Sequence, residues 1–169
     1  MVRQATMNDA MRIAEIVIYG WRFAYADLIS ETVLYKTLSV VKRYNALIDV
    51  INGDHGYYVF EEGEIVKGVF LVGDSREEGD TEETLELVAI YVEPAFKFQG
   101  IGSKLIKACE IIANTRDKKE IKLWVLEDNI KSRKFYEKHG FECLTLTKKI
   151  DQLGLNEIRY MKKLKVDEE

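Results

Sequence analysis

Apolar and polar positions along the chain change period several times, and each change marks an element. "VRQAT" alternates and reads as a short strand. Ala10, Ile13, Val17 and Trp21 then recur at helical spacing, with Thr6 or Asn8 available as the cap. Ser30 precedes a second helical pattern through Leu34, Leu38, Val41, Leu47 and Ile48. "GYYVFEEGEIVKGVFLVGD" is a hairpin pattern, with strands over Tyr57 to Phe60 and Ile65 to Val72 and Glu62-Gly63 at the turn. An acidic loop follows, and then "TLELVAIYV" (Thr84 to Val92) reads as a central strand. Ile101, Leu105, Cys109 and Ile112 form one apolar stripe of a third helix. "EIKLWVLE" is a strand, and "NIKSRKFYEKHG" is a fourth helix from Asn129 to a stop at Gly140. "FECLTLT" and "EIRYMKKL" close the chain as strands. The predicted order is β-α-α-β-β-β-α-β-α-β-β, a mixed α/β (α+β) sheet with early antiparallel hairpins and a later β-α-β crossover.

The 169 residues show no repeat, low-complexity tract or linker, so a single domain over 1–169 is expected. Apolar residues are 47% and charged residues 32%, as in ordinary globular proteins. The net charge of −4 argues against nucleic acid or membrane as a partner. No apolar run approaches the roughly 18 to 20 residues of a membrane span, and "MVRQATMND" has no signal-peptide core. Cys109 and Cys143 lack metal or disulfide spacing, and both are expected to be buried thiols in a reducing cytoplasm. His55 and His139 have no neighbours at ligand spacing and are read as structural or surface residues, so no metal is expected.

The chain's only proline, Pro94, follows the central strand, and "KFQGIG" leads directly into the third helix. Glycines there permit positive φ and leave the backbone unobstructed. The positive end of the helix adds to this, making a site for phosphate or pyrophosphate. A plain strand-to-helix turn fits the same spacing. A Walker A loop is excluded, because Gly-Lys-Ser/Thr is missing. A dinucleotide fingerprint needs a third glycine where Leu105 stands.

The wider pattern resembles the GNAT superfamily of acetyl-CoA-dependent N-acetyltransferases. Its first signature, Q/R-x-x-G-x-G/A after a strand ending V-x-P, is matched by Val92-Glu93-Pro94 and Lys97-Phe98-Gln99-Gly100-Ile101-Gly102. Its second is matched by Asn129, Ser132, Tyr136, Lys138, Gly140 and Phe141. Lys97 departs from the family's Gln or Arg, which keeps charge but loses the planar fork of arginine. The resemblance implies a mostly antiparallel sheet of about seven strands with four helices, splayed at the cofactor site.

Further expectations follow from the same resemblance. The arm of acetyl-CoA would pair with the backbone of Ile90, Tyr91 and Val92. Its pyrophosphate would sit on Phe98, Gln99, Gly100, Ile101, Gly102 and Ser103, with Asn129 and Ser132 at the arm or nucleotide. A backbone N–H near Ile90 would stabilise the oxyanion. Glu86, a lone carboxylate in an apolar strand, is the candidate base for a primary amine acceptor; a surface or ion-paired glutamate is the plain alternative. Tyr136 stands at the family's general-acid position, against an alternative role in core packing. Trp21, Phe23 and Tyr25, after the first helix, are candidate walls of an acceptor pocket.

The loop Asp74 to Glu83 carries Glu77, Glu78, Asp80, Glu82 and Glu83 against Arg76 and reads either as solvated or as an attractor of a cationic acceptor. "WRFAY" is also similar to the PaiA-type polyamine acetyltransferases. The expected acceptor is a polyamine or other small cationic amine, with a protein N-terminus or lysine as the alternative. A non-catalytic CoA-binding sensor or scaffold is the rival of another class. Monomer and homodimer are both compatible with the pattern.

Overall fold

The computed structural model describes residues 1–51 and 56–165; His55 lies outside them. The elements are β1 Val2–Gln4, α1 Ala10–Ala24, α2 Val40–Ile51, β2 Tyr57–Glu62, β3 Ile65–Asp74, β4 Thr84–Val92, α3 Ile101–Thr115, β5 Glu120–Leu126, α4 Ile130–Lys138, β6 Glu142–Ile150 and β7 Leu155–Lys163. Their order matches the expected one. The strands form one seven-stranded sheet in the order β1-β2-β3-β4-β5-β7-β6. β4 and β5 run parallel, while β1-β2, β2-β3, β5-β7 and β6-β7 are antiparallel. The parallel ladder pairs only Thr84–Glu86 with Glu120–Lys122 and ends there.

Local chemistry moved several boundaries. The second helical pattern is two elements, because Leu38 is extended at φ −80, ψ 128. A wide turn over Thr32–Thr37 closes with Leu38 N–H donating to the Val33 carbonyl, a π-type bond. Arg22 Nε donates to the Leu34 carbonyl at 3.0 Å, which satisfies an acceptor at that break. The first helix continues through Trp21 and Phe23 to Ala24, so these aromatics sit on its last turns rather than after it. The hairpin turn is Gly63-Glu64, with φ +60 and +62, one residue beyond the expected pair. β6 and β7 also extend further than their apolar cores suggested, pairing as far as Ile150 with Leu155.

The chain forms two compact units, 1–71 with 89–105, and 72–88 with 106–169. In the first, Ile13, Ile16 and Val17 of α1 and Leu47 and Ile51 of α2 share a core with Val59, Val66 and Val69. In the second, Leu85, Leu87, Ile106, Cys109, Ile121, Leu123, Ile158 and Tyr160 are buried. Cys109 is a free thiol pushed up to about 12 by burial, hence inert. Cys143 is only half-buried, because β6 lies at the sheet edge. No helix among the described residues is long and apolar enough to cross a membrane.

Candidate active site

In the first unit, the chain leaves β4 through a short 3-10 turn, Pro94–Phe96, and passes Lys97 in extended conformation. Phe98 and Gly100 then adopt φ +63 and +77. Phe98, a bulky residue in the left-handed region, has its side chain 97% exposed. A Cβ added at Gly100 would meet no atom within 4 Å, so space stands open beside this backbone. α3 starts at the next residue, and its first turn carries N–H groups that lack intrahelical acceptors. Two left-handed residues, open space and a helix N-terminus together fit a pyrophosphate.

The start of α3 is held close to the sheet. A Cβ at Gly68 of β3 would lie 3.0 Å from Leu105 Cδ1, 3.2 Å from Ile101 Cγ2 and 3.3 Å from the Tyr91 carbonyl oxygen. Lys97 Nζ lies 4.1 Å from the centroid of the Phe23 ring, a cation–π contact. Trp21 Nε1 donates to the Tyr91 hydroxyl at 2.7 Å, and the Trp21 and Tyr25 rings meet edge to face at 5.0 Å. Trp21 therefore adjoins β4 at Tyr91, on which Ile90 and Val92 are half-buried, and Tyr25 packs on Trp21.

In the second unit, Glu86 is 7% exposed and ends the parallel ladder opposite Lys122. Among the described residues its carboxylate has no hydrogen-bond or ion-pair partner. Asn129 caps α4, its Oδ1 accepting from the Ser132 N–H at 3.2 Å. That bond gives Asn129 and Ser132 a structural role at the second signature. Tyr136 is buried on α4 against Phe135, Phe141 and Tyr160, with centroids at 5.5, 5.8 and 6.4 Å. Its ring is thus a core residue, whatever its hydroxyl does. His139 ends α4 with Nδ1 2.7 Å from the Phe135 carbonyl. Among the described residues no three His, Cys, Asp or Glu side chains group as a metal site.

The acidic loop is anchored rather than solvated at two of its carboxylates. Asp80 accepts from Lys122 at 2.5 Å and from Arg159 at 2.5 Å. Glu77 accepts from Lys148 at 2.6 Å and from Trp124 Nε1 at 3.0 Å. Glu78, Glu82 and Glu83 remain exposed. The sequence reading missed Arg159, which is 2% exposed; its alternation with Glu157 and Met161 in β7 was the available signal.

Burial opposes ionisation of Asp80, yet the bonds from Lys122 and Ser75 and the Arg159 charge hold its carboxyl below the usual range. A depressed folded value means that this stabilisation is present above the unfolded carboxyl pKa, near about 4, and is lost as pH falls through the folded value. Asp80→Asn leaves the buried Arg159 with only Glu77, 3.9 Å away, as a charge partner and is expected to lower unfolding free energy by about 3 kcal/mol at neutral pH. The difference between variant and wild type should shrink below about pH 4 in urea titrations.

This fold, with the strand–turn–helix joint at its middle, defines a class: residues 21–141 match the acetyltransferase (GNAT) family, and the chain belongs to it. An uncharacterized N-acetyltransferase of Methanocaldococcus jannaschii is 37% identical over 60 residues, which is 36% of this chain and 26% of that relative's length. The chain thus aligns with about a quarter of that curated relative. The PaiA N-acetyltransferase of Thermoplasma acidophilum, solved with coenzyme A, superposes with TM-score 0.76 at 20% identity, covering 96% of this chain and 98% of the other. The yncA protein of Salmonella typhimurium, solved with its cofactor acetyl-CoA, gives TM-score 0.71 at 21% identity, with 100% and 96% covered. At these identities the likeness is one of fold.

Proposed function

We propose that residues 1–169 work as one N-acetyltransferase domain that moves an acetyl group from acetyl-CoA to a primary amine by direct attack in a ternary complex. The observation that carries this reading is the joint at Lys97 to Ser103, with left-handed Phe98 and Gly100 and open backbone at the start of α3. Phe98 to Ser103 hold the pyrophosphate, and Ile90, Tyr91 and Val92 offer backbone groups to the arm. Asn129 contributes its amide beyond the cap. An N–H near Ile90 stabilises the oxyanion.

Glu86 takes the proton that an ammonium must lose before it attacks, directly or through water. Tyr136 gives a proton to the departing thiolate. A simple thiol has a pKa of about 8.5, so the thiolate leaves only moderately well unaided. Tyr136→Phe is therefore expected to lower kcat by about tenfold while leaving acetyl-CoA affinity within about twofold. Equal kcat from pH 6 to 9, a window from about 2.5 units below that thiol pKa to about 0.5 above it, would remove Tyr136 from the mechanism.

The acceptor is a small cationic amine, and the protein acts in the cytoplasm as a monomer or homodimer. Free-thiol release from acetyl-CoA with a panel of amines and peptides tests the reading. Turnover only with peptide N-termini or lysines would move the acceptor class. Tight CoA binding with no turnover on any amine would favour a sensor or scaffold.

A further inference from the structure

One face of the second unit carries an unbalanced set of charges. Strand alternation and register place Thr84 and Glu86 of β4, Glu120, Lys122 and Trp124 of β5, and Glu157 and Arg159 of β7 on that face. Lys148 of β6 lies opposite Glu157, and Glu77 and Asp80 reach the same side chains from the loop. Three of the cations there already have a carboxylate, while Lys163, opposite Glu120 at the far end of the face, is exposed. Lys122 pairs with Asp80 and Glu120, Arg159 with Asp80, and Lys148 with Glu77. Apart from the exposed Glu142 at the edge strand, two carboxylates are left. Glu86 is more than nine-tenths buried, and neither it nor Glu157 has a hydrogen-bond or ion-pair partner among the described residues.

The two stand apart along the sheet. Glu86 is opposite Lys122, whereas Glu157 is opposite Leu126, four residues further along β5. They are two separate stations for positive charge rather than one shared pair. Burial pushes the Glu157 carboxyl up, the Glu77 and Glu86 charges add to this, and Lys148 opposes it. A proton on Glu157 can therefore stand in for a missing cation.

We propose that Glu157 is a specificity-determining residue that binds the second ammonium of a linear diamine or polyamine whose reacting amine lies at Glu86. This rests on the acetyltransferase reading and narrows its acceptor to a dication or higher. Lys148 is the competing cation beside Glu157, so its removal should favour the acceptor.

Calorimetric titration of the full chain with spermidine and with n-butylamine tests this without requiring turnover. The wild type should bind spermidine the more tightly. Glu157→Gln should weaken spermidine by about tenfold and narrow the spermidine-to-butylamine ratio by a similar factor. Glu157→Asp should retain most of that ratio, which a general structural defect would not. Lys148→Gln should tighten spermidine severalfold, and it decides the matter if Glu157→Gln fails to fold. An unchanged ratio in folded Glu157→Gln, or weaker spermidine binding in Lys148→Gln, overturns the proposal. Thiol release separates the two readings: wild-type turnover on monoamines with no preference for spermidine sinks this inference alone, while no turnover on any amine sinks the activity.

Discussion

Gly100→Asp should weaken CoA binding by roughly a thousandfold. Two causes combine. Gly100 sits at φ +77, where any side chain adds strain, although Asp and Asn tolerate this region better than most residues. A new carboxylate would also enter the open space that the proposed pyrophosphate needs. Like charges about 4 Å apart at a protein surface repel by roughly 4 kcal/mol, which is the larger effect. Gly100→Asn carries nearly the same shape and backbone strain without the charge, and should lose much less affinity. The open surroundings of Gly100 predict little change in folding for either variant. Calorimetry at low and moderate salt checks the claim. Unchanged CoA affinity in a folded Gly100→Asp protein would place the pyrophosphate elsewhere.

Glu86→Gln should lower turnover about a hundredfold or more near pH 7, because the amide keeps the shape and removes the base. An alkyl ammonium has a pKa of about 10, so the neutral amine is scarce at pH 7 and abundant near its pKa. The deficit should therefore shrink as pH approaches 10. Acetyl-CoA affinity should change little, since the role assigned to Glu86 concerns the acceptor. A pH–rate profile parallel to that of the wild type would show that water or another residue does the deprotonation. Because Glu157 shares the face and feels the Glu86 charge, the profile of Glu157→Gln is the proper companion measurement.

The acidic loop shows how tertiary contacts change the meaning of a composition signal. Six acidic residues from Asp74 to Glu83 suggested either solvation or attraction of a cation. Asp80 instead ties the loop to Lys122 and Arg159, and Glu77 ties it to Lys148 and Trp124. The partners lie some 42 to 79 positions away in the chain, so no local pattern could reveal them. On the proposed reading, the carboxylates that meet an acceptor are Glu86 and Glu157 rather than Glu77 and Asp80.

Sequence alone determined the elements and their order, because a period of two or of 3.6 residues is a local property and survives any arrangement of the chain. It also marked the strand–turn–helix joint at Lys97 to Ser103, since glycine spacing beside a helix start is local as well. Element ends were less legible. The break at Leu38 depends on Arg22 reaching the carbonyl of Leu34, and β6 and β7 continue through polar residues because each pairs with the other. Only the tertiary structure decided which charges neutralise one another. Strand register brought Arg159 beside Trp124 and Glu157 beside Lys148, and burial then made an unpaired carboxylate matter. A carboxylate on an open loop carries little information about function; the same group left without a partner on a sheet face among paired charges is placed to meet a cation, and that placement arises only when the strands meet.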